Sequence, residues 1–340
     1  MSPTGWPLAV LVLVLLGSGA VLLTAGVRFT TIVDELADRT GIGEALAGAV
    51  LLGATTSLPG LVTSISGAAA GDAGFAISNA LGGIAVQTTF LAVADLAYRG
   101  VNLEHAAASV PNIIQSMLLI ALIGVVLAGA GSPDVTLWSV HPATVVLVAV
   151  YGYGLVLARR ANEDPMWQPL HTDQTVEDEP DEEGSGASTR RLWTEFAVLA
   201  ATVGGVGWLI GQSGLALADR TGLSGSLVGG LFTSVITSLP ELVTVLAAVR
   251  IGAVTLAVAD IIGGNTFDVL FVAAADVAYR GGSIYHAADG SAIFLTALTV
   301  LLTATLAAGM LGRERRHIGF EGVGILLFYG LGVVSLVALG

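Results

Sequence analysis

The chain is 340 residues long, 54% hydrophobic and only 11% charged, where a soluble domain carries about 25% charged residues. That balance excludes a water-soluble globule, and the absence of cysteine excludes a disulfide framework or a thiolate metal site. The formal net charge of −13 belongs to loops rather than to the apolar stretches, and all 13 basic residues are arginine, so no nucleic-acid partner is expected.

A helix needs about 20 apolar residues to cross the hydrocarbon core of a bilayer. Ten stretches reach that length, near residues 7–33, 42–70, 73–97, 107–129, 137–158, 192–216, 223–249, 252–278, 290–310 and 318–339. The first apolar run, from about Trp6 to Val27, is too long for a signal-peptide core and has no basic residue ahead of it, so it reads as a retained transmembrane helix. Between the fifth and sixth stretches, residues 161–189 carry Glu163, Asp164, Asp173, Glu177, Asp178, Glu179, Asp181, Glu182 and Glu183 without a basic residue, the composition of a solvated linker. The domain reading is therefore a first five-helix repeat over 1–160, an acidic linker over 161–190 and a second repeat over 191–340.

Arginine placement orients the spans, because short cytoplasmic loops are enriched in basic residues. With both termini outside, Arg28, Arg39, Arg99, Arg159, Arg160, Arg190, Arg191, Arg250, Arg313, Arg315 and Arg316 fall on the cytoplasmic side, leaving only Arg220 and Arg280 outside. A multi-pass protein of the cell membrane with external termini and a cytoplasmic acidic linker is expected.

The two halves repeat. ADRTG occurs at 37–41 and 218–222, TSLP at 56–59 and 237–240, Gly-Gly at 82–83 and 263–264, and AYRG at 97–100 and 278–281, each pair 181 residues apart. Five spans per half is an odd number, so the second half enters the membrane in the opposite sense, and such inverted repeats place a substrate site near the bilayer midplane. The fold class is thus all-α, a polytopic membrane protein of ten helices in two inverted five-helix repeats. Pro59 and Pro240 interrupt the second and seventh spans, and the two Gly-Gly pairs are expected to loosen the third and eighth.

Glu241 and Asp268 lie well inside apolar spans, with no basic residue expected at their depth. An ionised acid at the membrane centre costs roughly 2.5–3.5 kcal/mol even on the lenient insertion scale, so a cation or a proton must compensate it. Thr56, Ser57, Thr237 and Ser238 surround the proline kinks with further oxygen, which hard cations prefer. The same offset pairs Gly60 with Glu241, Asn79 with Asp260 and Gln87 with Asp268, so all three acids stand in the second half. Asp260 reads equally as part of the site or as a helix-packing hydrogen bond.

The segments GLFTSVITSLPELVT and DIIGGNTFDVL, with their first-half partners GATTSLPG and SNALGGIAVQ, resemble the paired alpha repeats of the calcium/cation antiporter superfamily, the sodium/calcium exchangers and their relatives. The resemblance covers nearly the whole chain. It implies a secondary active antiporter that exchanges a cation, often Ca2+, against Na+ or H+ by alternating access, with the first and sixth spans sliding over the rest. It implies no resident cofactor, the partners being transported cations (Ca2+ and Na+) and the lipid bilayer, and it sets no oligomeric state. Carried over by position, the cation ligands are Thr56, Ser57 and Gln87 from the first half and Thr237, Ser238, Glu241 and Asp268 from the second, with Asp260 beside them. This chain departs from the family pattern at Gly60, where a glutamate is usual, at Gln87, where asparagine is usual, and at Gly83 and Gly264, where serines are usual.

Two alternatives stay open: a proton-coupled or monovalent-cation exchanger, and a membrane protein that binds or senses cations without transporting them. Asp95 with Arg99 and Asp276 with Arg280 are each spaced for an interfacial ion pair. His105, His141, His171, His286 and His317 have no metal-ligand spacing, and no phosphate loop, zinc motif or nucleophile elbow points to an enzyme.

Overall fold

The computed structural model describes residues 5–40, 53–97, 110–163, 188–251, 254–312 and 318–339. These are almost entirely helical. The first half contributes α1 (Leu8–Thr40), the short α2 (Gly53–Thr56), α3 (Leu58–Ala69), α4 (Ala73–Ala97), α5 (Val110–Gly131) and α6 (Pro142–Glu163). The second contributes α7 (Thr189–Thr221), α8 (Gly225–Leu227), a π-helical turn (Val228–Thr233), α9 (Ser234–Thr237), α10 (Leu239–Ile251), α11 (Val254–Asp268), α12 (Leu270–Ala278), α13 (Gly290–Leu311) and α14 (Phe320–Leu339). Among the described residues nine of the ten expected spans are long and apolar enough to cross a bilayer. The other, 42–70, begins in residues outside the described ones and continues as α2 and α3.

The protein is a polytopic membrane protein of two inverted repeats. Its centre is α4 with α11 and α12, which have little outward surface, while α1, α6, α7 and α14 keep most of theirs turned outward. An outward face of leucine and valine, such as Leu13 and Leu16 on α1 or Val334 on α14, is what lipid solvates. One apolar core joins α4, α10 and α11 to α13 and α14, and a second joins α4, α5 and α12.

The prolines act where the sequence places them. Pro59 and Pro240 have no N–H for the turn before them, and each chain breaks one residue earlier than the leucine that opens the next helix, at Ser57 between α2 and α3 and at Ser238 between α9 and α10. The glycine pairs do something else. Gly82 and Gly83 lie inside the unbroken α4 and Gly263 and Gly264 inside α11, while the eighth span breaks at Val269, directly after Asp268. Gly82 serves close packing: a Cβ there would stand 2.6 Å from the Gly230 carbonyl oxygen of the π-helical turn.

The two halves cross over at their kinks. A Cβ on Gly207 of α7 would stand 2.6 Å from both Cα and O of Pro59, and one on Gly26 of α1 would stand 3.0 Å from Cα of Pro240. Gly26 and Gly207 are themselves 181 residues apart, so each half's first helix rests, backbone on backbone, against the broken helix of the other half. Thr63 of α3 adds a hydrogen bond of 2.8 Å to the Gly207 carbonyl. At one end of the bundle Arg28 of α1 bonds Glu195 of α7 through Nε at 2.6 Å, an exposed pair of small energetic weight.

Asp276 corrects one expectation. Its Oδ2 accepts from the His141 backbone N–H at 2.8 Å and the Thr144 hydroxyl at 2.6 Å, and its Oδ1 accepts from the Ile284 N–H at 3.1 Å, so it ties loops of two helices together instead of pairing with Arg280. Three fixed donors around a buried carboxylate take the place of an exposed guanidinium. Arg99, the expected partner of Asp95, lies outside the described residues.

The Gly207 contact carries a prediction. Gly207→Ala overpacks a backbone contact and should lower the stability of the detergent-solubilised protein by about 1–3 kcal/mol, read as a drop in its thermal unfolding midpoint, whereas Gly204→Ala on the same helix, where a Cβ meets open space, should not.

Candidate functional site

The kinks and the crossover bring the expected site residues together from both halves. Gln87 of α4 donates Nε2–H to Asp268 Oδ2 at 2.8 Å, and the two residues are repeat counterparts, so the pseudo-twofold axis passes between them. The same Nε2 approaches the Ser238 hydroxyl at 3.4 Å, and the counterpart arrangement sets Ser57 against Asp268. Thr56 lies against Glu241, and its counterpart Thr237 lies beside Gly60, whose Cβ would stand 3.7 Å from the Thr237 hydroxyl. Each TSLP kink therefore meets the other half rather than its own.

Glu241 is 4% exposed, Asp268 1% and Asp260 9%. None of the three has a basic partner among the described residues, although all three feel one another electrostatically. Five oxygen atoms in this group are buried without a hydrogen-bond partner: Ser57 Oγ, Gln87 Oε1, Glu241 Oε1 and Oε2, and Asp268 Oδ1. Buried polar atoms are normally satisfied, and carboxylate oxygens are the most expensive to leave bare. Four of the five can only accept, the Ser57 hydroxyl lying against Asp268, and such a concentration of acceptors is the chemistry of a cation site. The set is hard oxygen from carboxylate, amide and hydroxyl, the ligand class of Ca2+ and Na+. No three His, Cys, Asp or Glu side chains among the described residues converge at metal-ligand spacing, so most of the oxygen facing a cation here is neutral.

Asp260 is set off from Asp268 but shares the Thr244 hydroxyl with the Glu241 carbonyl, which accepts from it at 2.9 Å. It precedes Asp268 by eight residues, about 12 Å along α11 at 1.5 Å per residue, and its Oδ2 accepts from the Thr244 hydroxyl at 3.0 Å. Its counterpart Asn79 is fully engaged, donating to the Gly60 carbonyl at 3.0 Å and the Ser64 hydroxyl at 2.9 Å and accepting from Thr233 at 2.7 Å.

Several neighbours of the site are not among the expected residues. Thr244 holds Asp260; its counterpart Thr63 makes the Gly207 bond, and their recurrence at the 181-residue offset is a signal that marks both. Asn265 donates to Thr88 at 3.2 Å and leaves its own Oδ1 unpartnered. Tyr151 of α6 comes within electrostatic reach of Asp268, and no repeat or motif singles it out. Outside the spans, a cavity of about 380 Å³ opens beside Asp72 and Asp289; burial, with Asp289 and Asp219 nearby, holds the Asp72 carboxyl above the usual carboxylate range.

The sequence profile of the family described as sodium/calcium exchanger protein matches residues 10–159 and 192–338. The chain belongs to this family. Among curated proteins it is similar to the putative antiporter CaxA of Alkalimonas amylolytica, 25% identical over 309 residues that cover 88% of this chain and 93% of CaxA. Among solved structures it is similar to the sodium-calcium exchanger NCX_Mj soaked with Na+ and Sr2+, with a TM-score of 0.64, 16% identity and coverage of 97% of this chain and 99% of that one. It is likewise similar to the H+/Ca2+ exchanger CAX, with a TM-score of 0.67, 13% identity and coverage of 97% and 85%.

The separation of the acids yields a ranked prediction. Asp268→Asn should weaken Ca2+ binding by on the order of tenfold or more, since affinity follows ligand charge, while Asp260→Asn keeps the acceptor for Thr244 and should weaken it by less than about threefold; equilibrium binding of 45Ca2+ to the purified protein reads both.

Proposed function

We propose that this chain is a secondary active antiporter that exchanges Ca2+ for Na+ by alternating access, with Glu241 and Asp268 as the charged ligands and Thr56, Ser57, Gln87, Thr237 and Ser238 as neutral oxygen around them. The observation that carries the reading is the group of five buried, unpartnered oxygens where the two halves cross. Two carboxylates without a basic partner neutralise one divalent cation, and the same pair, emptied of it, needs two monovalent cations or protons before it can cross a low-dielectric interior. Binding either load but never neither is what couples the two fluxes. Family membership and the likeness to CaxA, NCX_Mj and CAX support the antiporter class.

In this reading α1 and α7, which rest on the kinks of the opposite halves, are the elements whose displacement opens the site to one side and then to the other. The arginine distribution supports an orientation with both termini outside and the acidic linker in the cytoplasm.

Proton coupling is the second reading, favoured by a specific observation: Glu241 and Asp268 are both buried without basic partners, so that protons can serve as the counter-load in place of Na+.

The test is 45Ca2+ uptake into proteoliposomes holding the purified protein, loaded first with Na+ and then with a pH gradient. Uptake driven by Na+ and reduced at least about tenfold by Glu241→Gln, which removes one charged ligand, is the expected result. Uptake under the pH gradient alone moves the reading to proton exchange, and no uptake under either gradient overturns it.

A further inference from the structure

Between α5 and α6 the chain makes a tight turn. Leu137 and Val140 exchange both backbone hydrogen bonds, at 2.9 and 3.0 Å, across the two residues Trp138 and Ser139. Those two have φ of 53° and 65°, the left-handed geometry of a type I′ hairpin, which Asn and Gly adopt readily and a tryptophan does not. The turn displays apolar side chains: Trp138 is 86% exposed, Leu137 70% and Val135 59%. Facing water alone, such a display would gain nothing to offset two left-handed residues.

Helix length sets the level of the turn. α6 carries the exposed Arg159 and Arg160 near its far end, where basic side chains meet headgroups. A hydrocarbon core about 30 Å thick is crossed in about 20 helical residues. Counted back from Arg159 the core ends near Ser139, which leaves Trp138 at the boundary between hydrocarbon and headgroups. The outward surface of α6 leads there directly, since Val148, Val146, Val145 and Pro142 are exposed in turn below it. An indole ring, apolar with one N–H, suits that layer.

The base of the turn is tied to the span that carries Asp268. His141, next after Val140, gives its backbone N–H to Asp276 of α12 at 2.8 Å, and Thr144 of α6 gives its hydroxyl to the same carboxylate at 2.6 Å. His286, in the loop after α12, reaches the Ser132 carbonyl through Nε2 at 2.6 Å. α12 itself begins two residues after Asp268.

We infer that the turn over Val135–Val140 is an interfacial anchor: Trp138 and Leu137 enter the headgroup layer on that side of the bilayer and, through Asp276, hold α6 and α12 at a fixed depth. The partner is the lipid–water interface, with which the outward face of α6 is continuous. The inference holds whichever ions the protein carries.

The experiment uses the whole protein in liposomes, with the folding of each variant read by thermal unfolding. Tryptophan fluorescence is compared between wild type and Trp138→Phe, so that the difference isolates one ring among the five tryptophans. That difference should be quenched most by lipids brominated near the headgroup end of the acyl chain, less by lipids brominated near the methyl end, and least by aqueous iodide. For the anchoring, the chain has no cysteine of its own, so Val277→Cys, exposed on α12, takes a nitroxide at one place. Its relative accessibility to oxygen and to a water-soluble nickel complex reads its depth. That ratio should stay constant between short-chain and long-chain lipids while the turn is intact, and should change with chain length once Leu137→Ser and Trp138→Ser are added.

Quenching by iodide above either lipid sets Trp138 in water and overturns the proposal. Protection from lipid and iodide alike also overturns it, and disulfide cross-linking of Trp138→Cys between copies would then identify the turn as a protein contact. Stronger quenching from the methyl end overturns the headgroup level. A Val277 label that responds to chain length equally with and without the two serines overturns the anchoring role.

Discussion

Two carboxylates buried in membrane-spanning helices, with no basic side chain to meet them, are the constraint around which the rest of the molecule is arranged. Glu241 and Asp268 are nearly inaccessible and leave three of their four oxygens without a hydrogen-bond partner. Such a group is stable in a low dielectric only when a cation or a proton is supplied from outside. The proline kinks at Ser57 and Ser238, the glycines that let helices approach and the amide of Gln87 all converge on that pair. The hydrogen bond between Gln87 and Asp268 joins two residues that the repeat makes equivalent, yet one is neutral and the other acidic. The scaffold is symmetric where packing requires it and asymmetric where charge is carried.

The broad architecture was readable because membrane helices announce themselves by length and apolarity, and because the repeat keeps a constant offset. That offset alone set Glu241 opposite Gly60 and Asp268 opposite Gln87. The kinks at Pro59 and Pro240 followed from a covalent fact, the missing N–H, which no context can restore. The glycine pairs were less informative. Glycine can loosen a helix or admit a neighbour, and Gly82 does the latter, which depends on where Gly230 sits in space rather than on anything local to the sequence.

The side-chain surroundings of the site were readable in part. TSLP carries a signal because it recurs, and the acids because they stand in apolar spans; Tyr151 carries none, since an aromatic residue in an apolar span is ordinary and its place near Asp268 is set by packing between helices. Asp276 shows the converse. Its spacing from Arg280 suits an ion pair, but His141 and Thr144 approach from another helix and Ile284 from a later loop, and these donors reach a buried carboxylate that an exposed arginine does not.

The contacts of Gly207 on Pro59 and Gly26 on Pro240 make the two halves a mechanical interlock. Neither contact contains a side chain that could flex to absorb a displacement, so pushing α7 along its axis presses on the backbone of the first half's kink, and pushing α1 presses on the second's. In the exchange proposed above, α1 and α7 are cross-linked levers instead of independent doors. A carrier leaks when both doors stand open together; a bundle in which each door is hinged on the opposite frame has a built-in obstacle to that state.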